Sequence, residues 1–207
     1  MGRYTGPVAR LSRRYGVVLH DGVEKVLTRR PFAPGVHGPK QAQGRSRVSG
    51  FGLQLREKQK AKIMFGVRER QFRNYFDKAI EMEGDTGLSL VRLLETRLDN
   101  VVYRLGFAQT RRQARQFVGH ALFTVNGRTL NVPSYTVRIG DVIALKDIKK
   151  KKGMVADMAK RLEAIKHPSW LTADAAALTG KVLSMPTADE LKQEVFDPKL
   201  IVEFYSR

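Results

Sequence analysis

Positive charge is crowded into one end of this chain, and that limits what the end can fold into. Residues 1–76 carry 17 Lys+Arg against 4 Asp+Glu, a net of +13. Through the first 48 of them Gly and Pro recur, at Gly2, Gly6, Pro7, Gly16, Gly22, Pro31, Pro34, Gly35, Gly38, Pro39 and Gly44. Apolar residues there keep no sustained period, so the segment is not expected to bury a core of its own. Self-repulsion of this size opposes compaction unless a polyanion offsets it. Residues 1–48 therefore read as an extended basic arm. It is either a disordered charged tail or, as the charge favours, a segment that orders on nucleic acid.

Beyond the arm the balance falls off. Residues 77–162 hold 16 basic and 9 acidic residues, a net of +7, and residues 163–207 hold 5 and 7, a net of −2. The 207-residue chain carries +18 in all, with a pI of about 10.5, and its hydrophobic content of 42% is enough for real cores. The absence of cysteine excludes disulfides, thiolate metal sites and a cysteine nucleophile together. It fits a reducing compartment. The opening Met1-Gly-Arg-Tyr-Thr-Gly-Pro-Val8 has no apolar signal core, Gly6 breaks a myristoylation pattern, and no stretch approaches membrane-spanning length. A cytoplasmic protein with no membrane partner is the expectation.

Helical periodicity begins at Gly50. Within Gly50–Phe65 the pairs Arg56/Lys60 and Lys58/Lys62 are spaced i, i+4. Across Arg68–Glu83 the apolar set Phe72, Tyr75, Phe76, Ala79 and Ile80 follows a 3.6-residue period, and Arg70, Arg73, Asn74 and Lys78 fall away from it. An aromatic stripe at this spacing reads as core, not as a base-stacking platform. A third helix is expected through Leu90, Val91, Leu94, Leu98, Val101, Val102 and Leu105, stopped by Gly106.

A compact, strongly punctuated unit follows. Thr110-Arg-Arg-Gln113 predicts a capping box opening a helix through Val118. Leu122–Val125 and Arg128–Val132 flank Asn126-Gly127, the best short hairpin signal in the chain. Tyr135–Arg138 and Val142–Leu145 read as further strands, Lys149–Lys152 is a four-lysine run, and Met154–Lys166 reads as a helix. The tail offers a strand at Val182-Leu183, a second capping box at Thr187–Glu190 and a final strand at Leu200–Tyr205. The last either meets a protein partner or completes a core.

Catalytic patterns are missing. There is no phosphate-binding glycine loop, no Gly-x-Ser-x-Gly and no His-Glu-x-x-His, and His20, His37, His120 and His167 lie far apart in sequence. His37, set among glycines and prolines, reads as a loop residue near phosphate. Arg97-Leu-Asp99 echoes the motif that carries the catalytic aspartate of pseudouridine synthases. Leu98, however, lies on a helical stripe with no catalytic-sized domain around it. No enzyme, cofactor or metal is expected.

The sharpest functional geometry is on helix 110–118. With Arg111 at zero, Arg115 falls near 40° and Arg112 near 100°, while Ala114, Phe117 and Val118 fall at roughly 300°, 240° and 340°. No acid lies between Asp99 and Asp141, so the three guanidinium groups are expected to lack a local partner and to face phosphate.

Here a resemblance becomes specific. Arg97-Leu-Asp-Asn-Val-Val-Tyr-Arg-Leu-Gly-Phe107, Thr110-Arg-x-x-Ala-Arg115 and Val125-Asn-Gly127 resemble the RNA-binding module named after the fourth protein of the small ribosomal subunit. Arg3–Pro7, Gly52–Lys60, Glu69–Phe76 and Ile201–Arg207 extend the likeness to that ribosomal family over nearly the whole chain. It implies an α+β protein, mostly helical, with the small module of helices and short antiparallel strands inserted. Residues 49–96, completed by 160–207, would form the helical rRNA-binding domain, and 97–159 the module. It also implies early, direct binding to small-subunit rRNA that nucleates folding of the subunit body, and a part in decoding accuracy.

The implied neighbours are other small-subunit proteins, the fifth among them, and messenger RNA where it enters the subunit; no homo-oligomer is implied. RNA contacts are expected from Arg3, Arg10, Arg13, Arg14, His37, Lys40, Arg45 and Arg47 of the arm. Arg56, Lys58, Lys62, Arg70, Arg73 and Asn74 of the helices and Arg111, Arg112, Arg115 and Asn126 of the module complete the set. Many family members carry zinc-holding cysteines in the arm. This chain has Val17–Val26 there, so metal is not carried over. Family members often have Gly where this chain has Ala121, which puts the backbone before the hairpin in question. An RNA-modifying enzyme or a stand-alone stress-type RNA binder could use the same module. Residues 1–96 are neither a catalytic domain nor a short basic extension.

Overall fold

The computed structural model describes residues 4–39, 48–146, 154–192 and 195–206. The chain divides into two compact units, Met1–Leu90 with Gln193–Arg207, and Val91–Lys192.

The first unit is helical: α1 (Val8–Tyr15), α2 (Glu24–Arg29), α3 (Gly50–Met64), α4 (Glu69–Ile80) and the start of α5 (Thr86–Glu95), with α9 (Pro198–Tyr205). Side-chain caps open three of them. Ser49 Oγ accepts from Gly52 N at 3.2 Å, Asp85 Oδ1 from Leu88 N at 3.0 Å, and Asp197 Oδ1 from Lys199 N at 2.9 Å. Asp197 followed by Pro198 is a helix start, and it overrides the alternation of Val202, Glu203 and Phe204 that suggested a strand. The helix puts Ile201 and Tyr205 one turn apart. Ile201 is fully buried, and the Tyr205 ring lies 4.6 Å from Phe76 and 6.3 Å from Phe72. Phe51 meets Phe204 at 5.4 Å, and Phe65 meets Phe196 edge-on. In α4 the stripe packs as expected through Phe72, Phe76 and Ala79. Ile80, at the end of the helix, is 58% exposed instead.

The arm is not extended over its described part. Between α1 and α2, Leu19 and Val23 are buried beside Ser12, whose Oγ accepts from Leu19 N at 3.2 Å. Arg13 lies over the Phe32 ring, 5.1 Å from its centroid, and donates to the carbonyls of Phe32 and Ala33. A few apolar residues closed by local polar contacts suffice here; no sustained period is needed.

The second unit holds the rest of α5, α6 (Leu98–Arg104), α7 (Arg111–Gly119), β1 (Phe123–Val125), β2 (Arg128–Thr129), β3 (Val142–Leu145), α8 (Met154–Ala164), β4 (Leu171–Asp174) and β5 (Thr179–Val182). Its antiparallel sheet runs β2-β1-β3-β5-β4. The single helix expected over 90–105 is two helices. At the break, Val137 N donates to Thr96 O and Leu98 N to Tyr135 O, and Arg97 bridges Thr136. That bridge is all that forms of the strand expected at Tyr135–Arg138. Gly106, at φ +84°, follows α6 as a C′ residue should.

Asn126 and Gly127, at φ +50° and +78°, make the hairpin turn, with Val125 paired to Arg128. Ala121 sits at φ +53°, so the backbone keeps a glycine-like conformation without glycine. Thr187–Glu190 closes a turn, not a helix: Glu190 accepts from Thr187 N and, across the loop, from Ser169. Because β5 pairs with β3, residues 171–182 join the module's sheet, and the second compact unit runs on to Lys192. The core between helices and sheet centres on Leu98, Val102, Leu105, Phe107, Phe123 and Ile143.

Candidate nucleic-acid interface

Helix α7 is fixed at its N-terminus and along its buried face. Thr110 Oγ1 accepts from Gln113 N at 3.1 Å, while Gln113 Oε1 accepts from Gln109 N at 2.7 Å, a capping box shifted by one residue. Ala114 and Val118 are buried and Phe117 packs against the same core. Fixing that face leaves Arg111, Arg112 and Arg115 on the neighbouring arc, with Arg112 the most exposed.

The arginines are not without partners, contrary to expectation. Their acids come from the preceding helices. Arg115 Nη1 lies 3.5 Å from Asp99, and Arg111 Nε donates to Asn100 Oδ1 at 2.9 Å. The Arg111 guanidinium also covers the Tyr103 ring at 4.5 Å. Beneath them, Glu95 accepts from Arg104 Nη2 at 2.7 Å and Nε at 3.0 Å, and from Asn100 Nδ2 at 2.6 Å. Burial alone would raise the Glu95 carboxyl. The charges of Arg104 and Arg111 and hydrogen bonds from Arg104 and Asn100 hold it below the usual range, so it stays ionised. Asp99 accepts from Arg97 Nη2 at 2.8 Å and Nε at 3.0 Å, and both side chains are buried. The Arg97-Leu-Asp99 echo of a catalytic motif is thus a buried structural pair. Sequence reasoning missed Glu95, Asp99, Asn100 and Arg104 as parts of this site, because only the packing of α6 on α7 brings them beneath the arginines.

Asn126, exposed at the turn, is held in place: its amide nitrogen donates to Asp141 Oδ1 at 2.8 Å and its Oδ1 accepts from Val142 N at 2.9 Å. Asp141 further accepts from Arg138 N, and burial together with Asp141 raises the pKa of Tyr135. The side chain expected to contact RNA thus also locks the hairpin.

On the first unit, Arg10, Arg14, His37, Arg56, Arg70, Arg73 and Asn74 are exposed, and Arg73 pairs with Asp77. Lys58 is not on the surface. It is 5% exposed, bound to Glu69 at 2.7 Å and set 4.3 Å from the Phe204 ring centroid, so it holds α9 in place. Lys62 shares Glu69 at 3.0 Å. Arg3, Lys40, Arg45, Arg47 and the four-lysine run lie outside the described residues. Between α1 and α2 runs a groove of about 560 Å³, lined by Arg10, Arg13, Lys25, Arg29 and Arg30. Lys25, Arg29 and Arg30 are not among the RNA contacts expected from sequence.

Residues 3–95 match the family described as ribosomal protein S4/S9 N-terminal domain, and residues 96–143 match the S4 domain. The small ribosomal subunit protein uS4 of Roseiflexus castenholzii is 49% identical over 209 residues, spanning all of both chains. Its counterparts from Heliobacterium modesticaldum and Chlorobium limicola are 48% and 45% identical, again end to end. The chain belongs to the uS4 family of ribosomal proteins.

Within this uS4 chain the S4-domain match stops inside β3, whereas the sheet continues through β4 and β5. The N-terminal match runs through α5 to Glu95. Among the described residues no helix is long and apolar enough to cross a membrane. Membership in a family of structural ribosomal proteins disfavours the enzymatic alternative.

Proposed function

We propose that this uS4-family protein is a structural constituent of the small ribosomal subunit that binds its rRNA directly and early, nucleating the folding of the subunit body. The single observation that carries the reading is the end-to-end likeness to small-subunit uS4 proteins. The arginine face of α7 and the basic α1–α2 groove are surfaces suited to it. Arg111, Arg112 and Arg115 on the module, and Arg10, Arg14, His37, Arg56, Arg70, Arg73 and Asn74 on the helical unit, are the contacts we assign to RNA. Lys25, Arg29 and Arg30 join them from the groove. Asn126 joins them from the hairpin turn, Arg3, Lys40, Arg45 and Arg47 remain assigned from sequence, and Lys58 acts from inside. Neighbouring small-subunit proteins, the fifth among them, and messenger RNA where it enters the subunit are the further partners, with one copy acting in each cytoplasmic ribosome and a role in decoding accuracy.

Binding is dominated by phosphate contacts. If on the order of 6–10 phosphates are neutralised, affinity falls a thousand-fold or more between low and moderate salt. Chemical footprinting of the purified protein on small-subunit rRNA tests the reading. Protection of discrete rRNA segments that survives a duplex-DNA competitor of equal length is expected. Equal competition by the DNA, or no protection, would refute it.

A further inference from the structure

Two buried carboxylates lie under a surface that has to bind a polyanion. Glu95 is 3% exposed and Asp99 4%, and each binds arginine in a two-pronged arrangement, Glu95 with Arg104 and Asp99 with Arg97. Judged by charge alone they are a liability, since they cancel two of the charges of Arg97, Arg104, Arg111, Arg112 and Arg115. Judged by geometry they do something else. Asn100 is 2% exposed, and its amide nitrogen is held by the Glu95 carboxylate and the Glu95 carbonyl. That fixes the amide so that Oδ1, the acceptor end, faces Arg111 Nε. With the amide reversed, two donors would face each other. The Tyr103 ring then supports the Arg111 guanidinium at 4.5 Å, and Asp99 draws Arg115 from the next turn of α7.

We propose that Glu95, acting through Asn100, and Asp99, acting directly on Arg115, are positioning residues for RNA recognition: they aim the guanidinium groups of Arg111 and Arg115 and so set specificity for structured rRNA. This rests on the rRNA-binding reading above. A guanidinium is a planar fork whose value lies in its direction, and a long side chain without a post loses that direction to rotamer freedom. The carboxylates exchange attraction, which any RNA would feel, for orientation, which only an RNA of matching shape rewards.

The proposal differs in sign from simple electrostatics. Glu95→Gln adds one positive charge. If charge alone governs, every RNA binds the variant more tightly; if Glu95 positions, target and non-target RNA move apart. Filter binding of the full-length protein at several salt concentrations would compare small-subunit rRNA with random-sequence duplex RNA of equal length. For Glu95→Gln, affinity for rRNA is expected to fall roughly tenfold, the scale of one charge-assisted hydrogen bond. Affinity for the random duplex should hold or rise, and the salt slope should stay unchanged. Arg111→Lys is the second variant, since it keeps the charge on a half-buried surface residue and cannot satisfy both Asn100 and the Tyr103 face. It should lose severalfold rRNA affinity with the duplex unaffected.

A folded Glu95→Gln that binds rRNA as well as the parent, or better, overturns the proposal. If that variant does not fold, Arg111→Lys decides, and parent-like discrimination by it overturns the proposal equally. Should the parent itself fail to discriminate between the two RNAs, the rRNA-binding reading falls and the proposal with it.

Discussion

The two arginine-bearing surfaces of this protein are built on opposite plans. On α7 the guanidinium groups rest on buried carboxylates and an amide from α5 and α6. Between α1 and α2, Arg13 is instead held by the carbonyls of Phe32 and Ala33 and by the Phe32 ring. Carbonyl dipoles and an aromatic face orient a cation without cancelling its charge. Arg13 therefore keeps its charge in the groove, suited to attracting phosphate from a distance. The α7 surface gives up field for direction. One chain thus carries a diffuse attractor and a directional reader.

Breaking the buried post gives the largest effect. Asp99→Ala leaves Arg97, which is 0% exposed, without its carboxylate, and about 3–5 kcal/mol of stability should be lost. Arg13→Ala, the matching change on the other surface, removes contacts to neutral groups and should cost about 1 kcal/mol. Urea midpoints of the two variants measure the contrast, and equal losses would erase it.

The reading surface itself comes next. Arg111→Ala and Arg115→Ala should each weaken rRNA binding by roughly 1–2 kcal/mol. The far-ultraviolet circular dichroism should be unchanged, because Ala114 and Val118 remain buried. Normal binding would reduce α7 to a solvated face. Ala121 sharpens the comparison at the backbone, since it holds the junction between α7 and the hairpin at φ +53°. Ala121→Gly relieves that strain and should raise stability by about 1 kcal/mol in thermal melts; a lower melting temperature would contradict it.

The smallest effect is an acid-side one in the first unit. Burial alone would raise the Glu69 carboxyl, but hydrogen bonds from Lys58, Lys62 and Tyr205 bring it from 4.5 down to about 2. Its folded value lies below its unfolded one, so the stabilisation is present above pH 4.5 and is lost as pH falls toward 2. The side chain is 47% exposed, so solvent screening limits the contribution to under about 1 kcal/mol. Glu69→Gln should flatten stability over that window, and an unaltered acid limb would remove Glu69 from the α9 contact.

The periodic helices α3 and α4, the Asn126-Gly127 turn and the Gly106 stop were legible in sequence because each rests on a local signal. What was not legible depended on distance along the chain. Nothing near Arg111 hints that Glu95 and Asp99 lie beneath it. Nothing in Lys58 distinguishes a surface cation from one capped by Phe204 and Glu69. The break at Thr96-Arg97 was hidden because apolar spacing runs straight through it, and only the partners Tyr135 and Val137 reveal it. The final helix was misread because eight residues satisfy both periods, and its Asp197-Pro198 start carries the decision.

The seating of α9 on α3 has a consequence for how the protein is made. Gln54 donates to Glu203 across 149 residues of chain, and Glu69 meets Tyr205 across 136. At about 5–20 residues per second, a translating ribosome delivers the second partner roughly 7–30 s after the first. During that interval Phe51, Phe72 and Phe76 have no ring from α9 to cover them, whereas the Val91–Lys192 unit emerges with its own core complete. The reader is finished while the attractor's unit still waits for its closing helix. The order of synthesis is therefore the reverse of the order in which the two units reach their final folded form.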